Sequence, residues 1–372
     1  MRIQRLLMYL FRVFPVRNKV FFSSFEGRFI ACNPKYIYKY LKNRCGNQIK
    51  YVWEYNGEKR DGINTVKHNS LRYMYHIMTS RVIVTNTGIS AVFPLRKNQT
   101  CINTWHGSGA YKKVGKDIDS KINGSSEKRM ELTNRSTSYF VSGCKKFTEV
   151  MSGAIGLSIN KFLPIGMPRN DFLVRGDGYD LLEIKKKIGI DRDVKTVLYA
   201  PTFRGATGAV NSFDCKISVD SLLKMFSQKF GGNWVFAYRC HYHMKSDYNG
   251  IADSVDLSNY EDMQELLAVS DALITDYSSS IWDYSFTAKP CFLFCYDLQN
   301  YKSERDFYVP IEDWGFPIAE NNDELMLSVA EFSYDKYLEN MTKHHIELGS
   351  YENGTATEKI CALICERLNI KG

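Results

Sequence analysis

Long apolar runs are missing from this sequence. Its most hydrophobic terminus, Met1 to Phe14, is interrupted by Arg2, Arg5 and Arg12, and a segment that short and that charged does not span a bilayer. It also lacks the small-residue cleavage site and the unbroken apolar stretch of a secretory signal. The ten cysteines form no C-x-x-C pair and no Cys/His grouping at zinc-finger spacing. That argues against a disulfide framework or a structural zinc site, and reads as reduced core thiols in a cytosolic chain. No G-x-x-x-x-G-K-S/T loop is present, and no G-x-G-x-x-G follows the first strand, so the P-loop and dinucleotide-dehydrogenase classes lack their signatures. An Asp-x-Asp pair of the kind that holds a metal-bound nucleotide sugar does not stand out at a strand end. No short-period repeat or low-complexity tract is visible.

What is there suffices for two packed domains: 372 residues, 44% of them hydrophobic. The formal charge of +8 is local, because residues 1–60 hold 13 Lys/Arg against 3 Asp/Glu. Within that basic end Leu6, Leu7, Leu10, Phe11 and Phe14 recur at helical spacing. A basic amphipathic helix followed by Arg17, Lys19 and Arg28 suits an anionic membrane surface, and equally a first helix packed on its own domain with a solvated basic side.

From Lys19 the chain alternates short apolar runs with helical periods: strands at 20–22, 51–53, 82–84 and 102–105, helices at 34–41 and 71–78. This is the βαβ pattern of a parallel sheet. Residues 110–137, rich in Lys, Ser, Asn and Gly, read as a long flexible surface loop. Turn signals from Pro164 to Asp171 and at Gly176-Asp-Gly178 place a domain boundary near residue 172. A second alternating series follows, with strands at 197–199, 234–238, 272–274 and 290–295. Two βαβ domains, 1–172 and 173–372, imply a cleft between their sheet edges. The fold class is α/β.

Ligands of open α/β sheets bind beyond the carboxyl ends of the strands, and polar clusters recur there. His106 stands in a turn of small residues, Gly107-Ser108-Gly109, open to a substrate and suited to accepting a proton near neutrality; a structural turn histidine would look the same. The period of a strand puts Arg239, His241 and His243 on one face, where they suit a phosphate or form half of a metal site. Arg204 adds a fork of donors after the 197–199 strand, or makes a surface salt bridge. In Thr275-Asp-Tyr-Ser278-Ser279-Ser280 a buried strand feeds a helix through hydroxyls. That is a phosphate-binding geometry, or a serine cap that only starts the helix.

Thr104-Trp-His-Gly107, Tyr199-Ala-Pro-Thr-Phe-Arg204, Arg239-x-His241 and Thr275-Asp-Tyr-Ser-Ser279 stand in the order and spacing of one family. The chain resembles the CDP-glycerol glycerophosphotransferases, the teichoic acid primases and polymerases with related capsule enzymes, from about residue 80 to about residue 330. Departures are Tyr242 where the family usually has proline and Phe203 where tryptophan is common. The resemblance implies two Rossmann-like domains in a GT-B arrangement with an interdomain cleft. Residues 1–172 would serve the acceptor and the membrane; residues 173–372, with the C-terminal helix, would bind the CDP-polyol. It implies His106 as the general base and His241 as a second catalytic group. Arg204, Arg239, His243, Thr275, Asp276, Ser278 and Ser279 would be substrate-binding. CDP-glycerol or CDP-ribitol would be the donor and a lipid-linked saccharide or polyol phosphate the acceptor, at the cytoplasmic membrane face, with no cofactor, no metal and no nucleic acid. Against it stand a GT-B glycosyltransferase using a nucleotide sugar and a non-catalytic partner in envelope assembly.

Overall fold

In a computed structural model of the chain, residues 2–90, 92–118, 131–202, 215–240 and 254–370 are described. They form two compact units, one of residues 1–175 and 348–372 and the other of residues 176–347.

The first unit is built on a seven-stranded, all-parallel sheet. Its strands are β1 (Arg17–Ser23), β2 (Lys50–Glu54), β3 (Thr65–Val66), β4 (Ser80–Thr85), β5 (Thr100–Asn103), β6 (Tyr139–Ser142) and β7 (Phe162–Pro164). The order is β3-β2-β1-β4-β5-β6-β7, and all its pairings are parallel. Val20, Phe21 and Phe22 on β1 are all fully buried, as a central parallel strand covered on both faces requires. Beneath one face Phe21, Val52 and Ile83 pack with Ile77 and Met78 of the helix Leu71–Thr79 and with Met8 of the helix Arg2–Leu10. Ser70 starts the former helix by accepting the Tyr73 N–H at 3.1 Å.

The second unit holds a six-stranded parallel sheet in the order β10-β9-β8-β11-β12-β13. Its strands are β8 (Lys195–Tyr199), β9 (Trp234–Tyr238), β10 (Ser254–Asp256), β11 (Ala272–Thr275), β12 (Cys291–Phe294) and β13 (Ile318–Ala319). β8, β11 and β12 are buried almost throughout.

Several expectations are corrected. The chain divides at 175/176, close to the expected boundary near 172, but its C-terminal helix, Ala356–Leu368, belongs with the first unit rather than the second. The cause is a capping interaction across 185 residues of sequence: Asp171 accepts the N–H groups of Ala356 at 3.0 Å and Thr357 at 2.7 Å, the orphan donors of that helix's first turn. The expected loop at 110–137 is not wholly superficial, since Ala110, Tyr111 and Gly115 are buried; residues 119–130 lie outside the described set. β5 stops at Asn103 instead of 105, because Trp105 takes a left-handed φ of 52° and its N–H is accepted by the Asn103 side chain at 2.9 Å.

Candidate active site

In the first unit's sheet β2 lies on one side of β1 and β4 on the other. The strand order therefore reverses between β1 and β4, where open α/β sheets place their ligands. His106 is anchored there, although it follows β5. Its Nδ1 lies 2.9 Å from the carbonyl oxygen of Asn86, the residue after β4. A carbonyl only accepts, so Nδ1 carries the proton and Nε2 is left with its lone pair. The other end of Asn86 accepts the N–H of Phe25, beyond β1, at 2.8 Å. The ring stacks on Trp105 with centroids 4.7 Å apart, and meets Phe25 at 5.8 Å.

The backbone leading to His106 is also held. Thr104 donates its N–H to Thr85 O at 2.7 Å. Asn33, fully buried, donates to the carbonyls of Thr104 at 3.2 Å and Trp105 at 3.1 Å, and accepts the Arg169 N–H at 3.0 Å. Phe25, Glu26, Cys32 and Trp105 all have positive φ without being glycine, so the loops that meet here are strained into place. Gly109, at φ 83°, could carry no side chain, since a Cβ would stand 2.3 Å from the Tyr111 ring.

His106 has an exposed surface, yet its ring sits deep among these loops. The desolvation, with the cations of Arg169 and Lys112, lowers its pKa below the ordinary histidine value, against the opposing effect of the Asn86 carbonyl. The imidazole is thus neutral at pH 7, with Nε2 able to take a proton.

In the second unit β8 and β11 are neighbours although β9 and β10 intervene in sequence, so the order reverses between them. Their exits are tied together. Asp276, almost wholly buried, accepts the Thr202 N–H with both oxygens at 2.9 Å and the Tyr277 N–H at 2.6 Å. Thr275 donates its hydroxyl to Ala200 O at 2.6 Å. These two residues, expected to bind substrate, spend the described groups on the sheet edge itself. Ser278 and Ser279 are half-buried just beyond. The helix starts at Ser280 and not at Ser278; Ser278 Oγ accepts the Ser280 hydroxyl at 3.0 Å, and Ser279 makes no side-chain cap.

β9 ends at Tyr238, so Arg239 lies beyond the strand, and its expected alignment with His241 and His243 falls outside the described residues. Arg239 donates Nε–H to Tyr260 O at 3.1 Å. Burial lowers its pKa and nearby Asp262 opposes that; a guanidinium remains charged regardless. Arg204, His241 and His243 lie outside the described residues. Among the described residues no group of three or more His, Cys, Asp or Glu side chains is placed to hold a metal ion.

Asn33, Asn86 and Arg169 were not anticipated. Asn86 follows a strand end and obeys the rule that found His106. Asn33 and Arg169 lie 73 and 63 positions from His106 in opposite directions, in a helix start and a turn, and nothing local marks them.

Residues 6–366 match the model of the CDP-Glycerol:Poly(glycerophosphate) glycerophosphotransferase family. The chain belongs to that family. It is 31% identical to the teichoic acid poly(glycerol phosphate) polymerase of Staphylococcus epidermidis, over 93% of this chain and 50% of that one, so it spans about half of that relative. It is 30% identical to the teichoic acid glycerol-phosphate transferase of Staphylococcus aureus, over 94% of this chain and 93% of that one. A structure of the wall teichoic acid polymerase TagF, a histidine-to-asparagine variant soaked with CDPG, superposes with a TM-score of 0.86 at 29% identity, covering 98% of this chain and 93% of that one. The family read from the four ordered motifs and the expected α/β class with two parallel sheets are those found, and by its family this glycerophosphotransferase relative is a transferase.

Proposed function

We propose that the chain transfers a polyol phosphate, glycerol phosphate in the first instance, from a CDP-polyol to a hydroxyl of a lipid-linked acceptor, releasing CMP. His106 Nε2 removes the acceptor proton as the hydroxyl oxygen attacks the β-phosphorus. The new O–P bond forms as the bond to the CMP phosphate oxygen breaks, and the proton passes from the imidazole to solvent. Arg239, with Arg204, His241 and His243, neutralises the diphosphate oxygens, while Ser278 and Ser279 donate from the turn before Ser280. Phosphoryl-type transfer asks mainly for positioning and charge neutralisation, and CMP leaves without strong acid assistance. The observation that carries this reading is the Nδ1–H bond from His106 to Asn86 O, which leaves Nε2 basic. Glycerol is preferred because the two relatives described above are glycerol-phosphate enzymes. The product would be a teichoic acid or a capsule polymer, made at the cytoplasmic face of the membrane by a peripherally attached enzyme.

The test is nucleotide release, CMP from CDP-glycerol or CDP-ribitol and UDP from a UDP-hexose, each with and without a lipid-analogue acceptor. Acceptor-dependent release from CDP-glycerol supports the reading, and faster release from CDP-ribitol changes the polyol. Transfer from the UDP-hexose alone overturns it in favour of a glycosyltransferase. Donor binding without turnover, under conditions where a competent homologue works, overturns it in favour of a non-catalytic partner.

A further inference from the structure

The first unit carries a cavity at the amino ends of its strands, opposite the side of His106. Its volume is about 610 Å³, and it is lined by Arg5, Arg96, Lys97 and Arg135, with Gln99 and Ser138 among its polar groups. Gln99 and Ser138 immediately precede β5 and β6, so the cavity faces the amino ends of the strands, while His106 follows the carboxyl end of β5. Among the described residues lining it there is no carboxylate.

Three of its cations, Lys97, Arg96 and Arg135, are incompletely used among the described residues. Lys97 is exposed and makes no hydrogen bond or ion pair with any described residue. Arg96 donates Nη2–H groups to the carbonyls of Phe11 at 3.3 Å and Phe14 at 2.7 Å, but its buried Nε has no partner. Among the described residues Arg135 forms an ion pair only with exposed Glu131, at 3.3 Å. Burial and neighbouring Arg12 hold the Arg96 pKa below the usual guanidinium value, a repulsion that a bound anion relieves.

The wall beside this cavity is the N-terminal helix. It is strapped down reciprocally: Arg12 donates to Pro94 O at 2.9 Å, while Arg96 donates back to the turn after the helix. Met8 and Phe11 face the core. Leu6, Leu10 and Val13, at the i, i+4 and i+7 positions of an opposite stripe, are 71%, 66% and 79% exposed. An apolar stripe left in water beside a cluster of cations is the pattern of a surface that lies on lipid.

We propose that this cavity receives the phosphate of an anionic phospholipid headgroup while the Leu6–Leu10–Val13 stripe enters the acyl boundary. The inference rests on the peripheral-membrane reading above and gives it a site. A phosphodiester oxygen meets Lys97 Nζ, and the cations of Arg5, Arg96 and Arg135 close the field around it. The enzyme is thereby held by the end of its sheet remote from His106.

The experiment is co-sedimentation of the full chain with phosphatidylcholine vesicles and with vesicles also containing phosphatidylglycerol. The variants are Lys97→Gln, Arg135→Gln and Leu10→Ser; Arg96 is left intact because it holds the helix. Wild type should prefer the anionic vesicles, each charge variant should lose roughly fivefold in partitioning, and CMP release with a soluble acceptor should be unchanged. If wild type binds anionic vesicles and the charge variants bind as well as it does, the headgroup site is wrong and membrane attachment stands. If wild type binds neither vesicle, the attachment reading itself falls. If inorganic phosphate at constant ionic strength stabilises wild type but not Lys97→Gln and abolishes vesicle binding, the cavity serves free phosphate and the lipid assignment is overturned.

Discussion

The loop after β5 and the loop after β11 look alike in sequence, each a polar cluster at the carboxyl end of a buried parallel strand, and the structure uses them differently. After β5 the chemistry-bearing residue, His106, gives one nitrogen to Asn86 and keeps the other. At the end of β11 Thr275 and the next residue, Asp276, turn back and bind the exit of β8. One loop presents a group; the other first builds the shelf on which groups are presented. A motif residue can therefore matter equally for opposite reasons, and activity alone does not separate them.

Substitutions separate them when stability and turnover are both measured. His106→Ala should lower acceptor-dependent CMP release roughly 10²- to 10⁴-fold, the usual worth of a general base, and leave the urea midpoint close to wild type because the ring has an open surface. Asp276→Ala should do the reverse in emphasis: about 3 kcal/mol of stability lost, since three contacts vanish and the buried Tyr277 N–H and half-buried Thr202 N–H are left unmet, with activity falling only as the fold does. Asn33→Ala is intermediate, costing about 2 kcal/mol through the buried carbonyls of Thr104 and Trp105, and lowering turnover in the protein that remains folded because the turn carrying His106 loosens. Thr275→Val should be mildest, about 1 kcal/mol for one hydroxyl-to-carbonyl bond, with the KM for the donor nearly unchanged. A Thr275→Val protein of normal stability and greatly raised KM would break the comparison and return Thr275 to the donor site.

How much of this was legible in the sequence depended on range. Val20-Phe21-Phe22 and Ala272-Leu273-Ile274 announce buried parallel strands because every residue is apolar, and the helices between them follow from period. β3, β10 and β13, of two or three residues each, carry no such run. His106 was visible because small residues follow it at a strand end. The side chains that tune it were not, because Asn33 and Arg169 reach it only through the folded chain. The return of Ala356–Leu368 to the first unit hangs on Asp171, and no local pattern records a cap supplied from 185 residues away. The strand-period argument for Arg239, His241 and His243 reaches the described residues only at Arg239, which lies just past the end of β9 at Tyr238.

The central claim is that His106 is the base, neutral at working pH with Nε2 unprotonated. Its pKa is lowered, so the active form persists as pH falls until the folded value, below 6.5, is reached. The most direct measurement is single-turnover CMP release between pH 5 and pH 8 for wild type and His106→Ala. The account predicts a wild-type rate that is flat near neutrality and falls through an inflection below 6.5, and a variant that is slower by orders of magnitude and lacks that inflection. A variant that keeps the same acid limb, or comes within a few-fold of wild type, would contradict it.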